Sequence, residues 1–462
     1  MADQWATLGV DLHLEPAGPG LRRGLTDALR EAVRSGRLAP GTRLPSSRSL
    51  AADLGIARNT VADAYADLVA EGWLTARQGS GTRVAQRTVV PPAGSAPHPR
   101  AAARPAYDLR PGSPDLASFP RAEWLKAARR ALDAAPYHAL DYGDPRGRPE
   151  LRAALAGYLA RARGVRADPE RIVVCGGFAH GLRLLGTALG ARGARTVAVE
   201  SYGLDVHWSV LAGCGLRTVP LPFDRRGTDP GALSGTDAVL LTPAHQFPMG
   251  VPLHRDRRTA VVDWARRTGG LVLEDDYDGE FRYDRQPVGA LQGLDPDRVV
   301  YLGTASKSLA PGLRLAWMVL PADLAEEAAT AKGGVDTCGV LDQLTLAEFL
   351  TSGAYDRHVR ATRLRYRRRR DALVAAVAAR APEARVTGIA AGLHVLLRLP
   401  PGTERSVVQA AHWRGLAVHG LARYRHADAV AEPADALVVG YGTPPDHAWS
   451  GALDALCAVL PG

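Results

Sequence analysis

A segment rich in proline and alanine, residues 87–106, divides this chain of 462 residues into two parts. Its five prolines and its lack of strand or helix periodicity predict a linker that is partly extended. The linker separates a small N-terminal domain, residues 18–86, from a C-terminal domain, residues 107–462, that is long enough to bury a large core. With 46% hydrophobic and 23% charged residues, the composition is globular and excludes disorder across most of the chain.

Several classes of protein are excluded by what the sequence lacks. No run reaches the about 20 apolar residues that cross a bilayer, and the acidic first fifteen residues do not resemble a signal peptide. The spacing of the four cysteines fits neither a disulfide framework nor a zinc site. We therefore expect a cytoplasmic protein with no membrane contact and no metal site.

The basic residues are unusual in kind and in placement. Of 57 lysines and arginines only three are lysines, Lys126, Lys307 and Lys332, so chemistry that needs a primary amine has few candidates. The net charge of +9 hints at a polyanionic partner, although residues 1–85 hold ten arginines against nine acidic residues. Eight arginines fall within Arg357–Arg370, which indicates either a solvated helix face or a surface that contacts DNA or a partner.

Two short helices separated by a glycine are predicted in the N-terminal domain. LPSSRSLAADLG offers Ser46 as the cap of the first helix and Gly55 as its end, and IARNTVADAYADLVAEG continues as the second. An earlier helix, LRRGLTDALREAVRSG, is predicted from apolar residues at helical spacing: Leu21, Leu25, Leu29, Ala32 and Val33. The two helices joined at Gly55 form a helix-turn-helix. The second helix of this motif presents its first residues, here Arg58, Asn59 and Thr60, to the major groove. WLTARQGSGTRV then predicts a hairpin, the wing, whose GSG tip can approach a backbone closely.

These motifs resemble those of a known DNA-binding family. LPSSRSLAADLG, RNTV and GSGT occur in the order found in the winged helix of GntR-type regulators. The resemblance implies that the domain contacts double-stranded operator DNA through Ser47, Arg48, Arg58, Asn59, Thr60, Gln78 and Gly79. It also implies that the two arginines of this set contact phosphate or guanine. The alternative is a winged helix that makes only protein contacts.

The C-terminal domain alternates apolar, β-branched runs with amphipathic helical stretches. The predicted strands begin near Arg171, Thr196, Ala238, Leu271 and Val299, and the helical stretches include residues 149–162 and 254–268. This alternation predicts an α/β fold with a mostly parallel sheet that helices cover on both faces.

Three segments of this domain suit a single site. In GTASKSLAPGLRL, Lys307 can lose its proton and form a Schiff base, and potential phosphate ligands surround it: Thr304, Ser306 and Arg314. A glycine turn at Gly177 opens a helix at Phe178, whose free N–H groups suit a phosphate. Asp275 and Tyr277 follow an apolar strand, where a carboxylate can hold a pyridinium and a phenol can bond a ring hydroxyl. The set describes a pyridoxal phosphate site; the alternative is that the acidic pair merely caps the strand.

Residues 107–462 resemble the fold type I aminotransferases. The similar motifs are DLRPGSPDLASFP, YGDPRGRPELRAALAGYLARARGV, TPAHQFPMG, EDDYDGEFRY and SKSLAPGLRL. Fused to a GntR-type winged helix, such a domain is identified as a member of the MocR subfamily of bacterial regulators. The resemblance implies a head-to-tail homodimer that binds DNA and holds pyridoxal phosphate on Lys307 as a Schiff base, with Tyr202 as a pocket tyrosine.

Two departures from the aminotransferase pattern bear on activity. Phe247-Pro-Met-Gly250 stands where catalytic relatives carry NPTG, which leaves His245 or Gln246 to bond the ring hydroxyl. Val438 stands where they carry the arginine that pairs with the substrate carboxylate, although Arg423 or Arg425 could reach in from the preceding loop.

Three functions compete. The first is a transcription regulator whose aminotransferase-like domain binds a small-molecule effector, with pyridoxal phosphate as the simplest effector and vitamin B6 synthesis as the regulated process. The second is an active pyridoxal phosphate-dependent aminotransferase with a DNA-binding appendage, and the third is a store of pyridoxal phosphate, which explains the winged helix poorly. The departures favour the first function and predict a vestigial aminotransferase domain without efficient transamination.

Overall fold

The computed structural model describes residues 20–77, 81–86, 105–283, 288–430 and 434–461. The chain divides into two compact units between Arg104 and Pro105, inside the segment predicted to be a linker. None of the helices in the described residues has the length and apolar character needed to cross a membrane.

Three helices and an antiparallel hairpin form the N-terminal unit. They are α1 (Leu21–Arg34), α2 (Ser47–Leu54), α3 (Arg58–Ala70), β1 (Leu74–Arg77) and β2 (Gly81–Val84). The predicted apolar residues of α1 are buried in the core of this unit, with one exception. Leu21, the first residue of α1, is 56% exposed.

The turn between α2 and α3 confirms the predicted helix-turn-helix. The Ser46 hydroxyl accepts a hydrogen bond from the Ser49 N–H at 3.1 Å and caps the first turn of α2. Gly55 ends α2 with a φ of 64°, in the left-handed region that glycine adopts without strain. The Tyr65 hydroxyl donates to the Pro45 carbonyl at 3.1 Å and thereby fixes α3 against the chain that enters α2.

The C-terminal unit alternates strands and helices along most of its length. Its first half comprises β3 (Tyr107–Asp108), α4 (Arg121–Ala134), α5 (Pro149–Arg163), β4 (Ile172–Cys175), α6 (Phe178–Ala191), β5 (Thr196–Glu200), α7 (Asp205–Gly213), β6 (Arg217–Leu221), β7 (Phe223–Asp224), β8 (Gly227–Thr228), β9 (Ala238–Leu241), α8 (Arg255–Thr268) and β10 (Leu271–Asp275). Its second half comprises β11 (Val299–Thr304), β12 (Ala316–Val319), α9 (Ala322–Ala331), α10 (Val340–Thr351), α11 (Ala354–Arg380), β13 (Arg385–Thr387), β14 (His394–Arg398), α12 (Glu404–Trp413), β15 (Leu416–Ala417), β16 (His419–Gly420), β17 (Ala436–Gly440) and α13 (Trp449–Cys457).

A seven-stranded sheet forms the centre of this unit. The spatial order of its strands is β4-β12-β11-β10-β9-β5-β6. Neighbouring strands are parallel except at β12, which runs antiparallel to both β11 and β4. The five predicted strands and the mostly parallel sheet are confirmed, whereas β6 and β12 are strands that the sequence pattern did not predict.

Helices pack on both faces of the sheet, as predicted. Successive residues of one strand point to opposite faces, so Val174 of β4 packs with α5 and α10 while Val173 packs with α6 and α9. Burial on both faces explains why these strands are continuously apolar rather than alternating.

A smaller antiparallel sheet, in the order β13-β14-β17-β16, follows the long helix α11. The apolar side chains of Tyr366, Leu373 and Val377 on α11 pack into its core. The sequence analysis did not predict this sheet, whose strands are short and widely separated along the chain.

The basic run Arg357–Arg370 lies within α11 and is not a single solvated face. Arg369 is buried and donates to the carboxylates of Asp446 at 2.5 Å and Asp115 at 3.2 Å. Arg363, Arg365 and Arg370 are half-buried, and the exposed arginines of the run are Arg357, Arg360, Arg367 and Arg368. Part of the run therefore anchors the helix, and only the rest faces solvent.

Lys332, one of the three lysines, is a structural residue. Its side chain is 0% exposed and forms an ion pair with Asp336 at 2.6 Å. Its Nζ also donates to the carbonyls of Pro145 at 2.7 Å and Val174 at 2.9 Å. The compact ammonium group has three N–H donors, one for each of these acceptors. The planar guanidinium of an arginine could not donate to the three acceptors in the same way.

Candidate cofactor pocket and DNA-binding face

The carboxyl ends of the central strands line a cavity of about 260 Å³, close to the lower limit of about 300 Å³ for small-molecule sites. The predicted site residues in its lining are Phe178, Tyr202, Asp275, Tyr277, Thr304, Ser306, Lys307 and Arg314. The two other predicted residues, Gly177 and His245, lie behind this lining. Segments that are distant in sequence thus come together at one end of the sheet, where open α/β folds bind ligands.

Lys307 enters the cavity from the loop after β11. Its Nζ donates a hydrogen bond to the Gly112 carbonyl at 2.5 Å. Burial lowers the pKa of Lys307 from its ordinary value of 10.5, and the carboxyls of Asp275 and Asp278 oppose the shift. The neutral amine, which is the nucleophilic form, is therefore easier to reach than at an exposed lysine.

Asp275 ends β10 and has an unsatisfied oxygen in the cavity wall. It is 6% exposed, and its Oδ1 has no hydrogen-bond partner among the described residues. Burial raises the pKa of Asp275 well above its ordinary value, while Lys307 opposes this shift. A buried polar atom without a partner is costly unless a ligand satisfies it. A protonated ring nitrogen is the kind of donor that this position lacks.

The N-terminus of α6 and the side chain of Arg314 form the end of the cavity that suits a phosphate. No side chain caps α6, so its first N–H groups are available to a ligand. Gly177 has a φ of 95°, a backbone conformation that favours glycine, and a Cβ there would lie 2.4 Å from Nη2 of Arg314 and would displace that guanidinium. The hydroxyls of Thr304 and Ser306, both in the lining, lie 2.8 Å apart.

A buried network, rather than an asparagine, orients Tyr277. Its hydroxyl lies 3.1 Å from Nδ1 of His245 and 3.2 Å from the His245 carbonyl. Because the same Nδ1 lies 2.7 Å from Oδ2 of Asp278, its proton points to that carboxylate and the phenol donates to the carbonyl. Gln246 donates to two backbone carbonyls at 2.8 and 2.9 Å. Neither His245 nor Gln246 lines the cavity, so Tyr277 is the member of this network that reaches the lining.

The position that lacks the substrate-binding arginine lies in an apolar cluster. Val438 is fully buried in β17, in a cluster whose aromatic members are Tyr202, Phe247 and Tyr424. These three aromatic residues also line the cavity. The wall near Val438 is therefore aromatic and uncharged.

The sequence analysis offered two replacements for the missing arginine, Arg423 and Arg425. Arg423 is exposed, and half-buried Arg425 donates to the Ala429 carbonyl. Neither is among the described residues that line the cavity, where Lys307 and Arg314 are the lysine and arginine present.

The lining residues that the sequence analysis missed include Gly112, Glu200, His207, Trp208 and His394. Burial lowers the pKa of His207 to about 4 and that of His394 to about 3, so both imidazoles are neutral at physiological pH. The strand-end rule that found Asp275 could have found Glu200, which ends β5 in the same sheet. Gly112 lies in the DLRPGSPDLASFP motif but was not singled out, whereas His207, Trp208 and His394 carry no motif of their own and reach the cavity only through the fold.

Glu200 is a second buried carboxyl beside the cavity. It accepts hydrogen bonds from the Thr228 hydroxyl at 3.0 Å and from the Thr242 N–H at 3.2 Å. Burial raises the pKa of Glu200 from 4.5 to about 7, although these hydrogen bonds oppose the shift.

Glu200→Gln should remove part of the pH dependence of stability. Between pH 4.5 and about 7 the folded chain keeps a proton that the unfolded chain has released, so wild-type stability falls as the pH rises through this window. The amide does not titrate, so the free energy of unfolding of the variant relative to wild type should rise by up to about 3 kcal/mol across the window. Urea unfolding at both ends of the window measures this difference. Glu326→Gln, at an exposed position, is the control, and equal pH profiles for wild type and Glu200→Gln would contradict the assignment.

The arginines of the N-terminal unit fall into two groups. Arg22 pairs with Asp67 at 2.5 Å and Arg30 with Glu71 at 2.8 Å, and both pairs tie α1 to the end of the helix-turn-helix. Arg48 and Arg58, by contrast, are exposed and form no ion pair with any described residue. Their guanidinium groups are thus available to phosphates or bases.

Three further predicted DNA contacts, Ser47, Asn59 and Thr60, lie at the same two helix starts. Ser47 begins α2, and Asn59 and Thr60 lie in the first turn of α3, where a helix-turn-helix contacts base edges. Asn59 is exposed, and Ser47 and Thr60 are partly exposed. Gln78 and Gly79, predicted at the tip of the wing, lie outside the described residues.

Comparisons with known proteins match both units. Residues 21–84 match the family described as bacterial regulatory proteins, gntR family, and residues 108–425 match aminotransferase class I and II. The pyridoxine biosynthesis transcriptional regulator PdxR of Corynebacterium glutamicum is 36% identical over 90% of this chain and 91% of its own length. The probable rhizopine catabolism regulatory protein MocR of Rhizobium meliloti is 34% identical over 77% of this chain and 76% of its own. An archaeal alanine:glyoxylate aminotransferase structure has a TM-score of 0.68 and 25% identity, and the match covers 76% of this chain and 90% of that one.

The fold and the cavity define a winged helix joined to a fold type I aminotransferase-like unit that binds pyridoxal phosphate. This class includes regulators as well as enzymes, and the relatives decide between them. The chain belongs to the MocR subfamily of GntR-type proteins, and it is a DNA-binding transcription regulator with an aminotransferase-like domain.

Proposed function

We propose that this regulator senses pyridoxal phosphate through its aminotransferase-like unit, and that the unit is vestigial as a transaminase. The observation that carries the proposal is the asymmetry of the cavity. Its cofactor end has an amine, a carboxyl and a phosphate cradle, whereas Val438 and its aromatic neighbours provide no cationic group to pair with a substrate carboxylate. An unpaired buried carboxylate costs at least several kcal/mol, so an ordinary amino acid is a poor ligand.

The cofactor contributes an aldehyde that an amine can attack and a ring that withdraws electrons. Lys307 supplies the amine, and the burial of this amine makes its proton easier to lose. Asp275 would accept a hydrogen bond from the protonated ring nitrogen at its unsatisfied Oδ1. Tyr277 would bond the ring hydroxyl, and Arg314 with the N-terminus of α6 would hold the phosphate.

Control of vitamin B6 synthesis is the most economical regulatory role for such a sensor. The relative from Corynebacterium glutamicum is named for the regulation of pyridoxine biosynthesis and matches along nearly the whole chain. A protein that responds to the end product of this pathway needs a site for the cofactor but no arginine that binds a substrate carboxylate. The cavity has the first and lacks the second in its described lining.

Measurement of operator binding with and without the cofactor tests the proposal. A ligand shifts a conformational equilibrium only through different affinities for the two states, so occupancy should change operator affinity or DNA bending. The purified protein should also leave the bound cofactor unchanged when common amino acids are added, as followed by visible absorption. Identical DNA behaviour in both forms, together with rapid conversion of the cofactor by an amino acid, would instead favour an active aminotransferase with a DNA-binding appendage.

A head-to-tail homodimer is part of the proposal, and exposed apolar residues on and beside α4 support it. Leu125 is 68% exposed and Leu132 51%, seven residues apart on one helix. Tyr137 and Tyr142, just after this helix, are about 90% exposed. Large apolar side chains clustered in this way indicate a protein interface.

The double variant Leu125→Asp/Leu132→Asp should shift the protein from dimer to monomer. Two carboxylates on this face would have to be buried without partners, which opposes association. Light scattering across a dilution series measures the mass, and Leu294→Asp, 51% exposed on the turn 292–294, is the control. A double variant that remains dimeric at wild-type concentrations would place the interface elsewhere.

A further inference from the structure

A second cavity, away from the cofactor pocket, is lined mainly by arginines. It has a volume of about 430 Å³ and lies where α5, the turn after β10 and α11 meet. We call it the arginine recess and define it by Arg161, Arg163, Arg282, Arg360 and Arg363. Two of these belong to the basic run of α11, whose role the proposed function leaves open.

The floor of the recess is a rigid guanidinium. The side chain of Arg163 is 4% exposed, and its Nε and Nη2 donate to the Asp276 carboxylate at 2.6 and 2.9 Å. The Tyr301 hydroxyl donates to the same carboxylate at 2.8 Å. Arg163 is therefore fixed before any ligand arrives, which lowers the entropic cost of binding.

The α11 wall of the recess offers charge that no carboxylate neutralises. Arg363 donates through Nε and Nη2 to the Glu280 carbonyl, at 2.9 and 2.6 Å, and forms no ion pair with a described residue. Arg360 is exposed and likewise has no carboxylate partner in the described chain. The acidic residue of the described lining, Asp356, pairs with Arg161 at 2.9 Å. Arg161 and Arg163 are thus paired with carboxylates, whereas Arg360 and Arg363 leave positive charge in the wall that no described carboxylate pairs with.

From this geometry we propose that the arginine recess binds the phosphate group of a small organic phosphate. Guanidinium groups from three different elements face one space. This arrangement suits a phosphate, whose oxygens point in tetrahedral directions, better than a planar carboxylate, which a single guanidinium can bind with both of its oxygens. A DNA duplex is disfavoured as the occupant because the floor is a concave, almost fully buried arginine. Nothing in the proposed function requires this second site.

Calorimetric titration of inorganic phosphate into the full-length protein tests the proposal. The protein is first loaded with pyridoxal phosphate and reduced with borohydride, so that the cofactor's own phosphate cradle is filled. We expect one phosphate per chain in chloride buffer of low ionic strength. Arg360→Glu should weaken this binding at least tenfold, because it reverses a charge in the wall without removing a contact.

The matched control is Arg368→Glu, an exposed residue of the same helix outside the recess lining. It should change phosphate affinity less than twofold, and both variants should keep the wild-type melting temperature. Arg161→Glu, on the opposite rim, provides a second variant should Arg360→Glu fail to fold. The proposal is overturned if the wild type binds no phosphate, if acetate binds equally well, or if the two α11 variants behave alike. Loss of operator affinity in Arg360→Glu without any phosphate binding would assign the recess to DNA instead.

Discussion

Lys307→Ala should abolish the visible absorption band that pyridoxal phosphate gives the wild-type protein. Lys307 is the lysine in the lining of the cofactor cavity, and no arginine can replace it because a guanidinium does not lose its proton. After borohydride reduction, the wild-type peptide that contains Lys307 should carry the mass of the cofactor, and the variant should carry none. The expected effect is complete loss of the covalent link, with weak residual binding through Arg314 and Asp275.

The control for this experiment is Lys126→Ala, at an exposed position on α4. This variant should keep both the band and the adduct at wild-type levels. A wild-type protein without a visible band after cofactor addition, or an adduct that persists in Lys307→Ala, would show that the assignment is wrong.

Arg58→Ala should weaken operator binding by about 1–3 kcal/mol, or roughly 5- to 150-fold, for each half-site if Arg58 pairs with a guanine. Arg58 is exposed at the start of the recognition helix and pairs with no described carboxylate, so its loss removes a DNA contact without breaking a structural one. Specificity should relax at a single base step. Arg48→Ala should weaken binding more uniformly across sequences if Arg48 contacts phosphate, and it should lower the salt dependence by about one counterion.

Arg34→Ala is the matched control, because Arg34 lies on α1 and is 64% exposed outside the predicted DNA face. Its operator affinity should stay within twofold of wild type in a mobility-shift titration at several salt concentrations. If all three variants bind equally, the winged helix does not contact DNA through these residues. A single half-site bound as tightly as the full operator would contradict the dimeric arrangement.

The sequence predicts those parts of the fold that rest on strong local patterns. Ser46, Gly55 and the apolar positions of α3 specify the helix-turn-helix because caps and periodicity act within a few residues. The apolar runs of the five parallel strands stand out because both faces are buried. β12 and the small sheet were missed because their strands pair with residues far away in the sequence, as Ala316 does with Cys175 and His394 with Gly440.

The candidate site divides in the same way. Lys307, Asp275 and Tyr277 were predicted because their chemistry is specific and the ends of neighbouring strands meet at one edge. His207 and Trp208 were not, because an imidazole or indole in an ordinary helix gives no signal of what it faces. His245 was expected to bond the ligand directly, but it lies behind Tyr277. Only the three-dimensional arrangement separates a residue that touches the ligand from one that orients its neighbour.

The scarcity of lysine has a consequence for the protein's encounter with a reactive aldehyde. Aldehydes condense with any accessible amine, and a regulator exposed to excess cofactor would normally collect adducts over its surface. Here the Lys332 side chain is fully enclosed and Lys307 lies in the cavity, so Lys126 is the exposed lysine side chain. The arginine-rich surface keeps its charge and solubility while remaining inert to this chemistry. Cofactor bound covalently to a lysine therefore reports occupancy of one site with little background, which is a property that a sensor of an aldehyde needs.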